Sequence, residues 1–312
     1  MFVKKTFSKY LHFFFRSSYK HEIHITVSKN SLLNNGFKNV YEWIEPWVLF
    51  EVKRDGFQTL TIPATAEYKI VLVAPGTMKY FLNIEKADYP GVRIVGKFEL
   101  KMGQKITVAL GQQGNSDGCG SGGSFVVLES DEGPKPLLIA GGAGHTYIKA
   151  FGRGNTDQTT VGNRNVGTSG KQKFFHGDIE DVYCAGAGFH EAPRVSNLAK
   201  GCVAPKSYKE GLTGGKGVDE NGRVYEGGFG GGGGCCHFER KINVYHPYWG
   251  IDTDWKGVSY YGAGGGFTGG GTKVDADGKN IWGEGGGSFS ADPKAKIDHH
   301  FVQFGYCKIK KI

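Results

Sequence analysis

The sequence predicts an all-β protein, a β-sandwich whose strands are interrupted by a long glycine-rich insert. Short segments rich in Val, Ile and Phe, bounded by Gly, Pro, Asp or Asn, fill residues 47–140, and strand composition returns at residues 291–312. Between them, glycine runs alternate with short polar or aromatic stretches over residues 141–290. We therefore expect one module at residues 47–312, preceded by a poorly ordered or incorrectly assigned leader at residues 1–46.

The predicted strands follow one another at the spacing typical of a β-sandwich. Phe57–Ile62 alternates apolar and polar residues, and the turn Pro63–Ala66 leads into a second strand at Glu67–Ala74. Five further segments share this composition, and they are Lys79–Glu85, Arg93–Leu100, Ile106–Leu110, Ser124–Glu129 and Pro136–Ala140. Phe301–Ile309 predicts a closing strand that returns to the sandwich after the insert.

Glycine accounts for 52 of the 312 residues, and 45 of these glycines lie within residues 111–290. A collagen needs glycine at every third position with abundant proline, and the chain has 10 Pro and no such period. A hydrophobic content of 39% and an aromatic content of 13% argue against disorder. The glycine-rich insert is therefore expected to have a regular structure.

A chain of glycines can adopt the extended threefold helix, which has no internal hydrogen bonds. Its backbone N–H and C=O groups must then pair with neighbouring helices, because buried unpaired groups are costly. Only glycine lets several such helices approach side by side. We predict a bundle of polyglycine-II helices with turns at Val218–Gly222 and Val274–Gly278 on its rim, the alternative being a flexible glycine-rich linker.

No motif in the sequence predicts catalysis, a cofactor or a metal site. Gly118–Gly123 matches the spacing G-x-G-x-x-G, but it leads into a strand rather than a helix, and glycine is frequent enough for chance matches. His299 and His300 are adjacent, and adjacent residues on a strand point to opposite faces, which does not suit one metal ion. Nucleophile-elbow and kinase motifs are missing, so we expect a non-enzymatic protein.

Charge and hydropathy exclude two further classes. Half of the formal net charge of +8 falls in residues 1–60, and the rest of the chain is nearly balanced without a basic stripe. Nucleic-acid binding is therefore not predicted. No run of about 18 apolar residues is present, so the sequence predicts no membrane span.

The chain contains six cysteines, which are Cys119, Cys184, Cys202, Cys235, Cys236 and Cys307. An even number scattered through loop-like sequence is typical of a secreted protein with disulfides, and six reduced thiols in a cytosolic protein are the alternative. Adjacent Cys235 and Cys236 are expected to have different partners, and six cysteines allow fifteen pairings. Residues 1–46 hold no clear signal peptide, because the apolar stretch Tyr10–Phe15 is short and interrupted, which conflicts with secretion.

One aromatic segment, Ile242–Tyr261, separates two glycine runs. Its aromatic residues are Tyr245, Tyr248, Trp249, Trp255, Tyr260 and Tyr261. Because Tyr and Trp dominate the hot spots of protein interfaces, we hypothesise that these residues form a partner-binding loop. A small aromatic cluster that covers the end of the glycine bundle is the second interpretation.

Five stretches taken in order carry a family resemblance, and they are Phe57–Ala74, Lys101–Gly114, Gly122–Leu128, Lys135–Gly144 and Glu226–Cys235. Together they resemble the glycine-rich domain of the anaplastic lymphoma kinase and leukocyte tyrosine kinase receptors, over about residues 50–312. The resemblance implies a tumour-necrosis-factor-like jelly roll with an inserted polyglycine-II bundle, an extracellular module that binds a cytokine-like protein. It also implies a disulfide between Cys202 and either Cys235 or Cys236.

The chain departs from that family in several respects. It has no EGF-like segment, no transmembrane helix and no kinase domain, and the segment Ile242–Tyr261 stands where the receptors continue in glycine. Ligand-contact residues are therefore not carried over. We expect a non-enzymatic extracellular or cell-surface recognition module, without a cofactor, that binds a protein ligand or associates with itself. The alternatives are a structural or adhesive surface protein and a carbohydrate-binding jelly roll whose aromatic segment stacks on sugars.

Overall fold

The structure of the protein is a computed structural model, and it describes residues 48–51, 56–77, 89–115, 118–145, 154, 184–193, 201–219, 221–246, 250–274 and 281–312. Within these ranges the regular structure is mostly antiparallel β-strand, with a short 3-10 helix at Tyr208–Glu210. The predicted all-β class is confirmed. The predicted leader at residues 1–46, the strand Lys79–Glu85 and most of the turn Val274–Gly278 lie outside the described residues.

The described part of the chain contains sixteen strands. In chain order they are β1 (Val48–Glu51), β2 (Phe57–Thr61), β3 (Ala66–Val73), β4 (Gly91–Leu100), β5 (Lys105–Ala109), β6 (Ser124–Leu128), β7 (Lys135–Ala140), β8 (Lys216–Val218), β9 (Val224–Glu226), β10 (Cys236–His246), β11 (Gly250–Tyr260), β12 (Thr272–Val274), β13 (Ile281–Gly283), β14 (Phe289–Ser290), β15 (Lys296–His300) and β16 (Tyr306–Lys311). The strands predicted within residues 57–140 are confirmed wherever they fall on described residues, with ends displaced by at most two residues.

Two five-stranded antiparallel sheets pack on one hydrophobic core. The first sheet has the order β1-β16-β3-β4-β15, and the second has the order β14-β7-β6-β5-β2. Alternation along β3 directs Tyr68, Ile70 and Leu72 inward, where they share a buried cluster with Val126 and Leu138 of the second sheet. One face of the first sheet is thereby buried against the second sheet.

The end of the chain forms two strands rather than the single closing strand predicted at Phe301–Ile309. β15 pairs with β4 and β16 pairs with β3, and residues 301–305 lie between these two strands. Gly305 sits against the hydroxyl of Ser124, where a side chain would not fit. β15 was missed because Ile297, which packs against the core, is the only apolar residue in its sequence.

Glycine-rich segments outside the sheets are joined by a hydrogen-bond pattern that repeats every three residues. In segment 262–267, successive N–H groups donate to three different neighbours, with N···O distances between 2.7 and 3.2 Å. Residues 262 and 265 donate to segment 118–123, residues 263 and 266 to segment 184–189, and residues 264 and 267 to segment 283–288. A donor direction that returns after three residues requires a backbone with three residues per turn.

Close approach of these segments leaves no room for side chains at several glycines. A Cβ atom at Gly265 would overlap the carbonyl oxygen of Gly230, and one at Gly264 would overlap that of Gly142. In both cases the obstacle is backbone, which cannot rotate away as a flexible side chain can. Glycine is therefore required at these positions by the packing of backbone against backbone.

The predicted turn at Val218–Gly222 is confirmed and joins β8 to β9. The Asp219 carboxylate accepts hydrogen bonds from the backbone N–H groups of Asn221 and Arg223, at 2.9 and 2.8 Å. Desolvation acts to raise the pKa of Asp219, but these bonds, the hydrogen bond from the Tyr225 hydroxyl and the nearby charge of Arg223 together hold the pKa below its usual value. Gly222 has a φ of 76°, the left-handed conformation for which glycine is suited.

A second buried cluster forms where the glycine-rich insert covers the other face of the second sheet. The sheet contributes Ala109, Phe125, Val127 and Ile139, and the insert contributes Phe189, Tyr208, Leu212 and Phe229. The second sheet is thus enclosed between the first sheet and the insert. This explains why β6 reads Ser-Phe-Val-Val-Leu, a nearly continuous apolar run rather than an alternating one.

Tyr208 is expected to make the protein sensitive to alkaline pH. Burial raises the pKa of its phenol well above the ordinary 10.0, Glu129 raises it further, and a hydrogen bond with Thr107 acts against the shift. Above about pH 10 the unfolded chain loses this proton while the folded protein keeps it, so the group lowers the free energy of unfolding by about 1.4 kcal/mol per pH unit.

Urea unfolding measured from about pH 9 to about pH 11 tests this expectation. The free energy of unfolding of Tyr208→Phe, which has no phenol proton to lose, should decline less steeply with pH than that of the wild-type protein. Burial also raises the pKa of the Cys307 thiol, but that contribution is the same in both proteins. Parallel declines in the wild-type protein and the variant would contradict the prediction.

Candidate recognition surface

The aromatic segment folds as a long β-hairpin, where the sequence predicted a loop. β10 and β11 pair over all eleven residues of each strand, from Cys236 opposite Tyr260 to His246 opposite Gly250. At about 3.4 Å per residue the paired strands extend for roughly 35 Å. The loop prediction is wrong because Tyr, Trp, Ile and Val favour strands, and here each residue finds a cross-strand partner.

The hairpin register divides the predicted partner-binding residues between its two faces. Opposite and alternate residues share a face, which puts Tyr245 and Trp255 together, about 14 Å apart along the strands. Tyr260 belongs to the other face, next to the start of the hairpin. The remaining hairpin candidates, Tyr248 and Trp249, lie outside the described residues.

The hairpin is anchored among the glycine-rich segments at its base, where β10 begins and β11 ends. Cys235, immediately before β10, forms a disulfide with Cys119. Tyr261, immediately after β11, is 1% exposed and stacks on the buried ring of His145, with ring centroids 5.0 Å apart and planes inclined by 13°. Gly118 lies between them, since a Cβ atom there would be 3.2 Å from the Tyr261 ring and 3.6 Å from the Cys235 sulfur.

Tyr261 is therefore not part of a partner-binding surface, and the prediction for this residue is wrong. Its ring is covered by the base of the hairpin, where His145 also contacts Tyr89 edge-on with ring centroids 6.1 Å apart. The second interpretation, an aromatic cluster that covers the end of the glycine bundle, stays a prediction. Sequence alone did not separate Tyr261 from Tyr260, because the two are adjacent and chemically identical.

The disulfide differs from the pairing implied by the family resemblance. Cys235 is bonded to Cys119, so the prediction that it is in a disulfide is confirmed. The implied pairing of Cys235 with Cys202 is wrong. The cause is the packing of segments 118–123 and 227–235, whose antiparallel backbone bonds include Gly120 to Gly233 at 2.9 Å. The side chain of Cys236 lies outside the described part of the chain, so a bond between Cys202 and Cys236 stays a prediction.

One edge of the hairpin has no strand partner among the described residues. β10 pairs only with β11, and β11 contacts β13 only where Tyr260 stands opposite Ile281. An open strand edge presents a row of backbone N–H and C=O groups to which another chain can add a strand. Among the described residues, β10 therefore has one strand edge without a pairing partner.

Three further features of the described residues concern a metal ion and a membrane. No group of three or more His, Cys, Asp or Glu side chains in it could hold a metal ion. His299 Nε2 lies 3.0 Å from the carbonyl oxygen of Gly154. No helix within the described ranges has the length and apolar character needed to cross a membrane.

Comparison with known proteins leaves the function to be argued from these residues. No model of a known protein family matches the chain, and no curated protein shows significant similarity to it.

Proposed function

We propose that the protein is a non-enzymatic extracellular recognition module and that the hairpin β10–β11 binds a protein partner. The observation that carries the proposal is the anchored base of the hairpin. The disulfide of Cys235 and the buried stack of Tyr261 hold the two strands where they leave the glycine-rich segments. An element ordered before binding loses less conformational entropy when a partner docks.

The proposal includes a fold similar to that of the receptor glycine-rich domains, a jelly roll with an inserted polyglycine-II bundle. The closing strands support it, because β14, β15 and β16 pair with β7, β4 and β3, in reverse order. The threefold hydrogen-bond repeat of segment 262–267 supports the polyglycine-II part. The disulfide between Cys119 and Cys235 is in keeping with an extracellular location, where such bonds persist.

Trp255→Ala tests the proposal most directly. Binding of the labelled full chain to cells of the source organism should be saturable and should disappear after the cells are treated with protease. Trp255→Ala is expected to weaken this binding about 30-fold, the effect of losing a hot spot worth about 2 kcal/mol. Thr253→Ala, two residues away on the same face, is the matched control and should change the affinity less than about threefold.

Three outcomes would count against the proposal. Binding that survives protease treatment would indicate a non-protein ligand, and equal losses in both variants would remove the special role of Trp255. Loss of cooperative unfolding in Trp255→Ala would assign the residue to folding.

A structural or adhesive role is the second candidate, and the close packing of the glycine-rich segments favours it. Backbones held together by hydrogen bonds in three directions would make a stiff spacer. Sedimentation velocity separates the two functions, since the recognition module should stay at one size over a wide concentration range. Concentration-dependent assembly in the absence of any partner would favour the structural role.

A further inference from the structure

The outer face of the first sheet carries three lysines in one row. Lys310 of β16 stands directly opposite Lys69 of β3, and Lys69 stands directly opposite Lys97 of β4. Neighbouring strands lie about 4.8 Å apart, so the row places three ammonium-bearing side chains side by side. Like charges directly opposite one another destabilise a sheet. The fold therefore tolerates an unfavourable arrangement on this face.

A second row lies next to the first and adds two more lysines. Lys308 of β16 is opposite Val71 of β3, and Lys296 of β15 is opposite Val95 of β4, in the same register. In the middle of this row Val71 is 8% exposed and Val95 is half-buried. Lys308 and Lys296 are both exposed, and Leu49 of β1 stands opposite Lys308 on its other side.

Acidic residues offset only part of this charge. Arg93 pairs with Asp298 at 2.9 Å and Lys97 pairs with Glu67 at 3.4 Å. The outward positions of β3, β4, β15 and β16 hold six basic and three acidic residues, a net charge of +3, and they are Lys69, Arg93, Lys97, Lys296, Lys308, Lys310, Glu67, Glu99 and Asp298. On the neighbouring strand, Glu51 stands opposite Tyr306.

Four of these lysines have no acidic partner. Within the described part of the chain, Lys69, Lys296, Lys308 and Lys310 make no ion pair, and Lys308 lies over the ring of Tyr306 with its ammonium 5.2 Å from the ring centroid. Among the described residues, this face therefore carries an excess of positive charge.

We propose that this lysine face binds an acidic polysaccharide that carries one carboxylate on each sugar ring. Lysine is a compact point charge on a flexible stem, which suits repeated carboxylates and needs no forked geometry. An extended polyuronate carries a carboxylate on every sugar, so a chain that crosses several strands can bring carboxylates to several of these lysines. A chain laid across β16, β3 and β4 meets a lysine on each strand.

Other polyanions fit this face less well. Single-stranded nucleic acid is held by aromatic platforms as well as by charge, and the aromatic ring on the described part of this face, Tyr306, lies beneath Lys308. Anionic membranes are bound by basic residues together with exposed apolar side chains, whereas on this face Val71 is buried and Val95 is half-buried. The hairpin β10–β11 takes no part in this proposal.

Calorimetric titration of the full chain with oligomeric polygalacturonate tests the proposal. Binding should be measurable at about 50 mM salt and should weaken strongly at about 300 mM, because exposed charges are screened. Neutral dextran of the same length should not bind. The double variant Lys69→Gln/Lys310→Gln is expected to bind at least about tenfold more weakly, and Lys69→Arg/Lys310→Arg should keep its affinity, because the charge is retained.

The matched control is Lys206→Gln/Lys209→Gln, which removes the same charge from exposed positions in the glycine-rich insert, on the side of the second sheet. It should change the affinity by less than about twofold. The thermal unfolding midpoint of Lys69→Gln/Lys310→Gln should be no lower than that of the wild-type protein, since repulsion between the lysines of the first row is relieved.

Equal weakening in the control variant would overturn the proposal, because it would mean that net charge alone attracts the polymer. Absence of binding at low salt would also overturn it. Tighter binding to oligo-dT or to vesicles of phosphatidylcholine with phosphatidylserine would assign the face to another class of ligand.

Discussion

Gly265→Ala is expected to destabilise the protein by about 4 kcal/mol, the combined effect of overpacking and of displaced backbone hydrogen bonds. The added methyl group would overlap the carbonyl oxygen of Gly230. Relief of that overlap must shift the backbone, which donates from Gly265 to Ser121 and accepts from Gly142, both at 2.9 Å. Because the segment is bonded to several neighbours at once, movement that rescues one contact breaks another.

Gly133→Ala is the control for this prediction. Gly133 has a φ of 107° and open space around it, so alanine there meets backbone strain but no packing obstacle. Its expected cost is about 1 kcal/mol. Chemical denaturation of both variants measures the difference. Similar losses of stability would mean that the glycine-rich segments are not held by backbone contact.

Removal of the Cys119–Cys235 disulfide is expected to cost about 2–5 kcal/mol. The bond closes a sequence separation of 116 residues, and long loops lose the most entropy when they are closed in the unfolded chain. The double variant Cys119→Ala/Cys235→Ala should also release the base of the hairpin. Partner binding should then fall even at temperatures where the sandwich remains folded.

A reducing agent provides the matched comparison for the disulfide. It should lower the stability of the wild-type protein more than that of Cys119→Ala/Cys235→Ala, which has already lost this bond. Cys307→Ala, at a buried thiol that is not in a disulfide, should remain sensitive to reduction as the wild type is. Full stability of the wild-type protein after complete reduction would contradict the prediction.

The strands of the sandwich were predictable because their signal is local. In β4 the alternation of Arg93, Lys97 and Glu99 with buried apolar residues marks one solvent-facing side and one buried side of the strand. β15 was not predictable, because Ile297 alone carries its apolar signal. Its place in the sheet comes from pairing with β4, some two hundred residues earlier in the chain.

The candidate site was predictable in part. The richness of Ile242–Tyr261 in Tyr and Trp marked the segment as unusual, and the structure makes it the outer part of one hairpin. Which aromatic residue is buried was decided by His145, a residue more than a hundred positions away that stacks on Tyr261. No local pattern carries that information.

The sequence by itself determined the all-β class, most strand positions and the need for a regular arrangement of glycine, because each depends on side-chain periodicity or on composition. Only the tertiary structure decided that Cys235 bonds to Cys119, that Tyr261 is covered, and that Lys69 meets two other lysines across neighbouring strands. These features arise from contacts between residues far apart in the chain. Their formation depends on the closure of long loops and on strand register, which neighbouring residues do not encode.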